Sequence, residues 1–333
     1  MTELLHTFGT DPEAFIFDRN IPDPKLGPIP NIIPPIALVK DFGATYVEIK
    51  GKKVLLSGDN FQWSEDGAAI ELQMSPTNDP LVFWKRLQDA KLCLNLFLKP
   101  FNLKASTYVP VGYFDVKTYW KNRDEDFQSC VIFGCDPDRF PKMYMQMGLD
   151  KAVSKEINVS KHTYRYGGGH IHIQAPKKTP EIYINNWPTA SIVFDFLAGL
   201  GNVTAQRSPI MKKLEKFRLK YYGRPGRIRL QMYSQKPKLY GIEYRVLSNY
   251  WTRDYGTTYR NLMLLDIAAS IIEKEQAQKF IGAFEKDIPQ MYRSIITLND
   301  ITASKIFHKC IMWLLKNNLI YTNQLEGILN ARY

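Results

Sequence analysis

The stretch that most constrains the fold is Tyr166–Ile173, which reads Tyr-Gly-Gly-Gly-His-Ile-His-Ile. After the glycines, polarity alternates with period two. In a strand, His170 and His172 point to one face and Ile171 and Ile173 to the other. The isoleucines can then bury while both imidazoles face a cleft. The glycines allow tight backbone geometry and close approach of a ligand. Taken alone, the pattern suits an edge strand with two surface histidines equally well. Acidic residues on three other strand-like segments with similar alternation shift the reading toward a shared site.

The first of these segments is Gly9-Thr10-Asp11-Pro12-Glu13, leading into the β-like run Ala14–Phe17. The second is Trp63–Met74, where Ile70 and Leu72 share one face and Glu71 and Gln73 the other. The third is Tyr240–Leu247, where Glu243 and Arg245 share a face opposite Tyr244 and Val246. That pair is either a simple ion pair or a metal ligand beside a phosphate clamp. Between these segments, Ile21–Pro35 is too proline-rich for a helix or central strand and reads as an extended loop. Thr45–Lys50 and Lys53–Leu56 read as a hairpin around Gly51, and Tyr108–Tyr113 and Cys130–Phe133 as further strands. Asn78 is placed to cap a long helix that has Pro80 in its first turn and ends at Pro100. Thr189–Gln206 reads as a buried helix weakened by Gly199 and Gly201, and the chain is helical from Tyr259 onward. Asp136 and Asp138 read as turn formers or site residues.

The net charge of +11 is concentrated. Residues 207–245 hold twelve lysines and arginines against Glu215 and Glu243 alone, so the rest of the chain is nearly neutral. Such a cluster is a nucleic-acid surface or a phosphate site. Lys212–Lys220 reads as a solvated basic helix, whereas Arg224, Arg227 and Arg229 sit in a Gly/Pro turn where they can converge on an anion. Concentration near one loop, without a stripe of interleaved aromatics, argues against nucleic acid. Cysteines 93, 130, 135 and 310 lack paired-ligand zinc spacing and read as reduced thiols, giving a cytoplasmic expectation. No uncharged apolar run reaches membrane-span length.

Five short pieces in order resemble a known family: Gly9–Glu13, Glu65–Glu71, Phe133–Asp138, Gly168–His172 and Tyr240–Trp251. They are similar to the phage and bacterial carboxylate–amine ligases of type 2, amidoligases related to glutamine synthetase and glutamate–cysteine ligase. The resemblance implies an α+β fold, a curved antiparallel sheet of the glutamine-synthetase kind with flanking helices. It places a catalytic domain at residues 1–255 and a helical region at 256–333 packed on it. It also implies ATP with Mg²⁺ or Mn²⁺, metal ligands Glu13, Glu71, His170 and Glu243, and phosphate contact by Arg245. His172 falls near nucleotide or substrate, and Arg207, Arg224 and Arg229 match the family's basic loop. Asp11, Glu65 and Asp66 are extra ligands or amine-binding groups. Catalytic roles fall to Arg245, Arg229 and His172. A phage origin, hence a bacterial host cytoplasm, is implied in the same way.

The chemistry supports that set independently. A carboxylate and an amine condense only after activation, which phosphorylation by ATP supplies. Phosphoryl transfer needs divalent ions and facing cations. Carboxylates suit Mg²⁺, and a histidine among them suits Mn²⁺ somewhat better. The implied partners are carboxylate and amine substrates, with a peptide or protein among the candidates, and neither nucleic acid nor membrane. Competing readings are a phosphotransferase of the same superfamily and a basic nucleic-acid-binding or virion structural protein.

Overall fold

The structure is a computed structural model that describes residues 4–21, 29–49, 51–117, 139–149, 162–233 and 239–330. The strand expected at Cys130–Phe133, and Asp136 and Asp138, lie outside the described residues, as do parts of the proline-rich loop. The strands are β1 (Phe8–Thr10), β2 (Glu13–Asp18), β3 (Val47–Ile49), β4 (Lys52–Gly58), β5 (Phe61–Asp66), β6 (Ala69–Thr77), β7 (Leu103–Ser106), β8 (Val111–Tyr113), β9 (Tyr164–Tyr166), β10 (Ile171–Gln174), β11 (Ile228–Tyr233) and β12 (Leu239–Tyr244). The helices are α1 (Pro35–Lys40), α2 (Pro80–Leu98), α3 (Lys142–Gln146), α4 (Ile182–Phe194), α5 (Leu200–Val203), α6 (Pro209–Arg218), α7 (Tyr255–Glu273), α8 (Ala277–Phe284), α9 (Ile288–Thr297), α10 (Asp300–Lys316) and α11 (Thr322–Asn330).

This is the expected α+β class, built on one large antiparallel sheet with flanking helices. Ten strands run β11-β12-β10-β1-β6-β5-β4-β3, with β2 and β7 continuing alongside β6. A separate pair joins β8 to β9. Alternation decides which side each residue takes. Ile70, Leu72, Ile171, Ile173, Ile242 and Tyr244 are all fully buried on the helix-covered face. Each such side chain contributes about 1.5–3 kcal/mol relative to exposure, so a one-residue slip in register is heavily penalised. The neighbours Glu71, Gln73, His172 and Gln174 line the opposite, polar face.

Helix α2 covers β5, β6 and β7, and α4 covers β11 and β12. The N-cap of α2 is Asp79 and not Asn78: its carboxylate accepts from the Leu81 and Val82 backbone N–H groups. The buried stripe of α2 is Phe83, Leu87, Ala90, Leu94 and Leu98, leaving Leu81 half exposed. The helix expected over Thr189–Gln206 begins earlier, at Ile182, and is interrupted by a π turn at Asp195–Gly199 before α5. Within that turn Asp195 is fully buried and accepts hydrogen bonds from Tyr144 and Tyr244, each at 2.7 Å. Burial pushes its carboxyl up to about 7 against the pull of those hydroxyls.

Helix α7 is buried along its length from Asn261 to Ile272 and packs against both α2 and α4, while α10 packs on α5 and α9. An ion cluster ties the start of the chain to α7. His6 Nδ1 lies 2.7 Å from Asp266 and Nε2 2.8 Å from Glu273, with the imidazole almost fully buried. Burial opposes the charge, but the hydrogen bonds to Asp266 and Glu273 win and push His6 up to about 9. The folded state therefore favours protonated His6. Its contribution is complete below about pH 6.5 and is lost as pH rises toward about 9, a swing of about 3 kcal/mol. We expect the melting temperature to fall between pH 6.5 and 9, and His6→Gln to flatten that slope while lowering stability at pH 6. Thermal melts of both proteins across this range are the check.

Candidate active site

The site begins with a break in a strand. β1 and β2 run along the same side of β6, but Pro12 has no N–H for the ladder, and the chain changes its outer partner there. β1 pairs with β10 and β2 with β7. Into this gap comes the glycine segment. Gly168 O accepts from Glu13 N at 2.9 Å, and His170 O accepts from the Thr10 hydroxyl at 2.6 Å. The approach tolerates no side chains. A methyl group on Gly169 would lie 2.4 Å from Ser248 O and 2.6 Å from Trp251 Nε1, and one on Gly168 would lie 2.5 Å from His170 Nε2 and 3.0 Å from Glu13 Oε1.

Two residues to which sequence reasoning gave no role lock this arrangement. Asn249 Nδ2 donates to Glu13 O and Val109 O, and Trp251 Nε1 donates to Gly169 O at 2.8 Å. Both lie in the Tyr240–Trp251 stretch already singled out, so their signal was present without its meaning. Tyr222 was also missed. Its hydroxyl sits 2.8 Å from His170 Nε2 and accepts from Arg245 at 3.4 Å.

On the polar face, Gly9, His172, Glu243 and Arg229 form one row across four strands. The cleft above it holds about 450 Å³, within the range of small-molecule sites. Asp11, Lys52, Glu71, Gln73, His172, Arg229 and Gln231 line it. Glu243 is fully buried at its floor, with Arg245 at 3.0 Å, His170 at 3.1 Å, Arg229 at 3.3 Å and Gln231 at 2.5 Å. Asp11 bridges both histidines, 3.5 Å from His170 Nδ1 and 3.1 Å from His172 Nε2.

The charges sort into two groups. Burial favours the neutral acids, yet His172 and His170 hold Asp11 well below the usual carboxylate range, and the His170 hydrogen bond holds Glu243 down. Burial and Arg245 disfavour a charged His170, but Asp11 and Glu243 prevail and push it up to about 10. Glu13, Asp66 and Glu71 behave oppositely. Burial first, then the charge of Asp66 on Glu13, of Glu71 on Asp66 and of Asp11 on Glu71, pushes each up to about 7. Glu13 and Glu71 are direct cross-strand partners, where like charges are unfavourable.

Of the residues expected to bind metal, Glu243 and His170 are in contact, while Glu13 and Glu71 are cross-strand partners on β2 and β6. The compact group of metal-ligating type is Asp11, His172 and Glu243, whose ligand atoms lie within 4.8 Å of one another. Of the arginines expected to bind phosphate, Arg229 lines the cleft and Arg245 lies beneath it. Arg207 and Arg224 do not line it. Arg207 donates to Asn202 O and Ala205 O and stacks on Tyr250, capping the carbonyl end of α5, and Arg224 lies over the Tyr292 ring.

No family model matches the chain, and no curated protein matches it. A solved structure titled "Crystal structure of novel glutamine synthase homolog" aligns with a TM-score of 0.38 at 10% identity, covering 94% of this chain and 68% of that one. No helix of the described residues is long and apolar enough to cross a membrane.

The close approach of the glycines gives a sharp expectation. Gly169→Ala should destabilise the protein by about 2 kcal/mol or more, because both clashing neighbours are fixed. Gly282→Ala on α8 meets nothing within 4 Å and should stabilise by about 0.5–1 kcal/mol. Denaturant titration of the two variants measures both.

Proposed function

We propose that the chain is an ATP-dependent carboxylate–amine ligase and that the cleft is its active site. The observation that carries this reading is the compact group Asp11, His172 and Glu243, set in one cleft with Arg229 and above Arg245. The group suits a divalent cation. Asp11 Oδ1 and His172 Nε2 are buried and make ion-pair contacts, 3.5 Å to His170 Nδ1 and 3.1 Å to Asp11 Oδ2, without a well-aligned hydrogen bond, and two carboxylates with one imidazole suit Mg²⁺ or Mn²⁺. Bound there, such an ion supplies charge neutralisation along a phosphate chain.

The chain's own residues do the rest. Arg229 reaches into the cleft from β11 and meets the negative charge of a transferring phosphoryl group with a planar fork. Arg245 is fully buried and fixes Glu243. His170 has both ring nitrogens engaged, by Glu243 and Tyr222, so in this reading it orients Asp11 and Glu243. Phosphoryl transfer joins the γ-phosphorus to a substrate carboxylate oxygen and releases ADP. The amine nitrogen then attacks the activated carbon, phosphate leaves, and the amine gives up a proton. Glu71 on the cleft wall, poised at about 7, accepts it. The crowding of carboxylates at Glu13, Asp66 and Glu71 is what an ammonium group or a second cation would relieve.

The test is phosphate release from ATP with Mg²⁺ or Mn²⁺ and a panel of carboxylates and amines. Release that requires both substrates supports the ligase, whereas ATP consumption into a phosphorylated product without free phosphate would assign a phosphotransferase. Asp11→Asn should lower turnover by about 100-fold or more at temperatures where the variant is still fully folded, because placement and charge dominate phosphoryl transfer. Calorimetry should show Mn²⁺ binding weakened in parallel. Arg229→Lys keeps the charge but loses the fork, and turnover should fall about 10–100-fold.

A further inference from the structure

Helix α6 presents an unusual outer face. Its inward residues are Met211, Leu214, Glu215 and Arg218. Glu215, the one acid of this helix, is turned inside and paired with Arg218 at 2.9 Å. Lys213 and Lys216, with Lys220 just past the helix end, are exposed on one stripe at spacings of three and four residues. Three positive charges therefore lie within about 10 Å of helix axis with no acid interspersed. Like charges at this spacing repel, and an ordinary solvated helix relieves that with neighbouring glutamates. Here that glutamate serves the interior.

An aromatic ledge borders the stripe. Tyr221 is 39% exposed and stacks on Tyr166 with centroids 5.6 Å apart at 16°. Phe217 packs edge-on to Tyr164 at 4.9 Å. One face of Tyr221 is thus covered by Tyr166, with Phe217 and His162 also against the ring at 5.7 and 5.3 Å. The ledge also adjoins the cleft by two routes. Tyr166 leads directly into the glycine segment and His170, and Tyr221 precedes Tyr222, which holds His170.

We propose that the Lys213–Lys216–Lys220 face with Tyr221 docks an acidic segment of a polypeptide. The stripe supplies point charges that carboxylates answer, and its length matches about three residues of extended chain. Single-stranded nucleic acid binds by stacking on successive free ring faces, and Tyr221, the exposed ring of this ledge, already gives one face to Tyr166. Membrane attachment needs exposed apolar residues on the same helix, whereas Met211 and Leu214 of α6 are buried and Ile210 and Phe217 are partly buried against the same cluster. The inference concerns binding and stands apart from the catalytic reading.

Fluorescence anisotropy with a labelled glutamate-rich decapeptide, a neutral decapeptide and a single-stranded DNA of equal length tests it. The acidic peptide should bind, the neutral one should not, and affinity should fall with salt. Lys213→Glu/Lys216→Glu should weaken peptide binding about tenfold or more. Lys85→Glu/Lys279→Glu changes net charge equally on distant helices and should leave binding within about twofold of the parent. Melting curves establish that all variants are folded. Equal losses in both double variants, absence of peptide binding at low salt, or tighter lysine-dependent binding of DNA would each overturn the proposal.

Discussion

The site depends on how closely two backbones can approach. Between Gly167 and Gly169 the chain lies against the break at Asp11–Pro12 on one side and against Ser248–Trp251 on the other. No side chain fits in that space, so the glycines are there for steric reasons before any ligand is considered. Because the approach is fixed by backbone hydrogen bonds, it places His170 beside Asp11 and Glu243 without relying on the long side chains of the cleft. Asn249 and Trp251 complete the clamp from residues more than 80 positions away in sequence.

The second organising feature is an unequal division of buried charge. Around Glu243 the cations outnumber the carboxylates, and Asp11 and Glu243 stay ionised. Around Glu71 the carboxylates outnumber the cations, with Lys52 at 3.5 Å the near exception, and the acids hold their protons more tightly. One cleft thus sets ionised carboxylates, held by cations, at its floor beside a wall acid pushed up to about 7. Removing Glu243 itself would take from buried Arg245 its carboxylate partner at 3.0 Å, and breaking such a buried pair costs about 3–5 kcal/mol.

Much of this was legible because the relevant signal is local. Period-two alternation correctly put Ile171 and Ile173 in the core and His172 on the polar face, and did the same for Ile70, Leu72 and Glu71. What was not legible depends on partners distant in sequence. Arg207 belongs to the basic loop that the resemblance matched to phosphate, yet its guanidinium donates to the Asn202 and Ala205 carbonyls at the end of α5. Asn78 and Asp79 are both competent caps, and only the backbone entering Pro80 chooses between them. Gly199 and Gly201 announced a weak point in a helix without revealing that it takes the form of a wide turn. Asn249 looks like any loop asparagine until Glu13 and Val109 are brought beside it.

That wide turn at Asp195–Gly199 has a consequence for how the chain tolerates change in length. A π turn is in effect one residue inserted into an α-helix, and each residue rotates the helix by about 100°. Deleting one residue here would restore an uninterrupted helix and so look harmless in sequence. It would also swing α5, and Arg207 with it, by that angle relative to α4. The carboxylate that joins Tyr144 to Tyr244 would lose its alignment as well. The extra residue acts as a spacer setting the phase between the helix that covers β12 and the helices that follow, so the spacing from Phe194 to Leu200 should resist insertion and deletion more than the identity of the side chains within it.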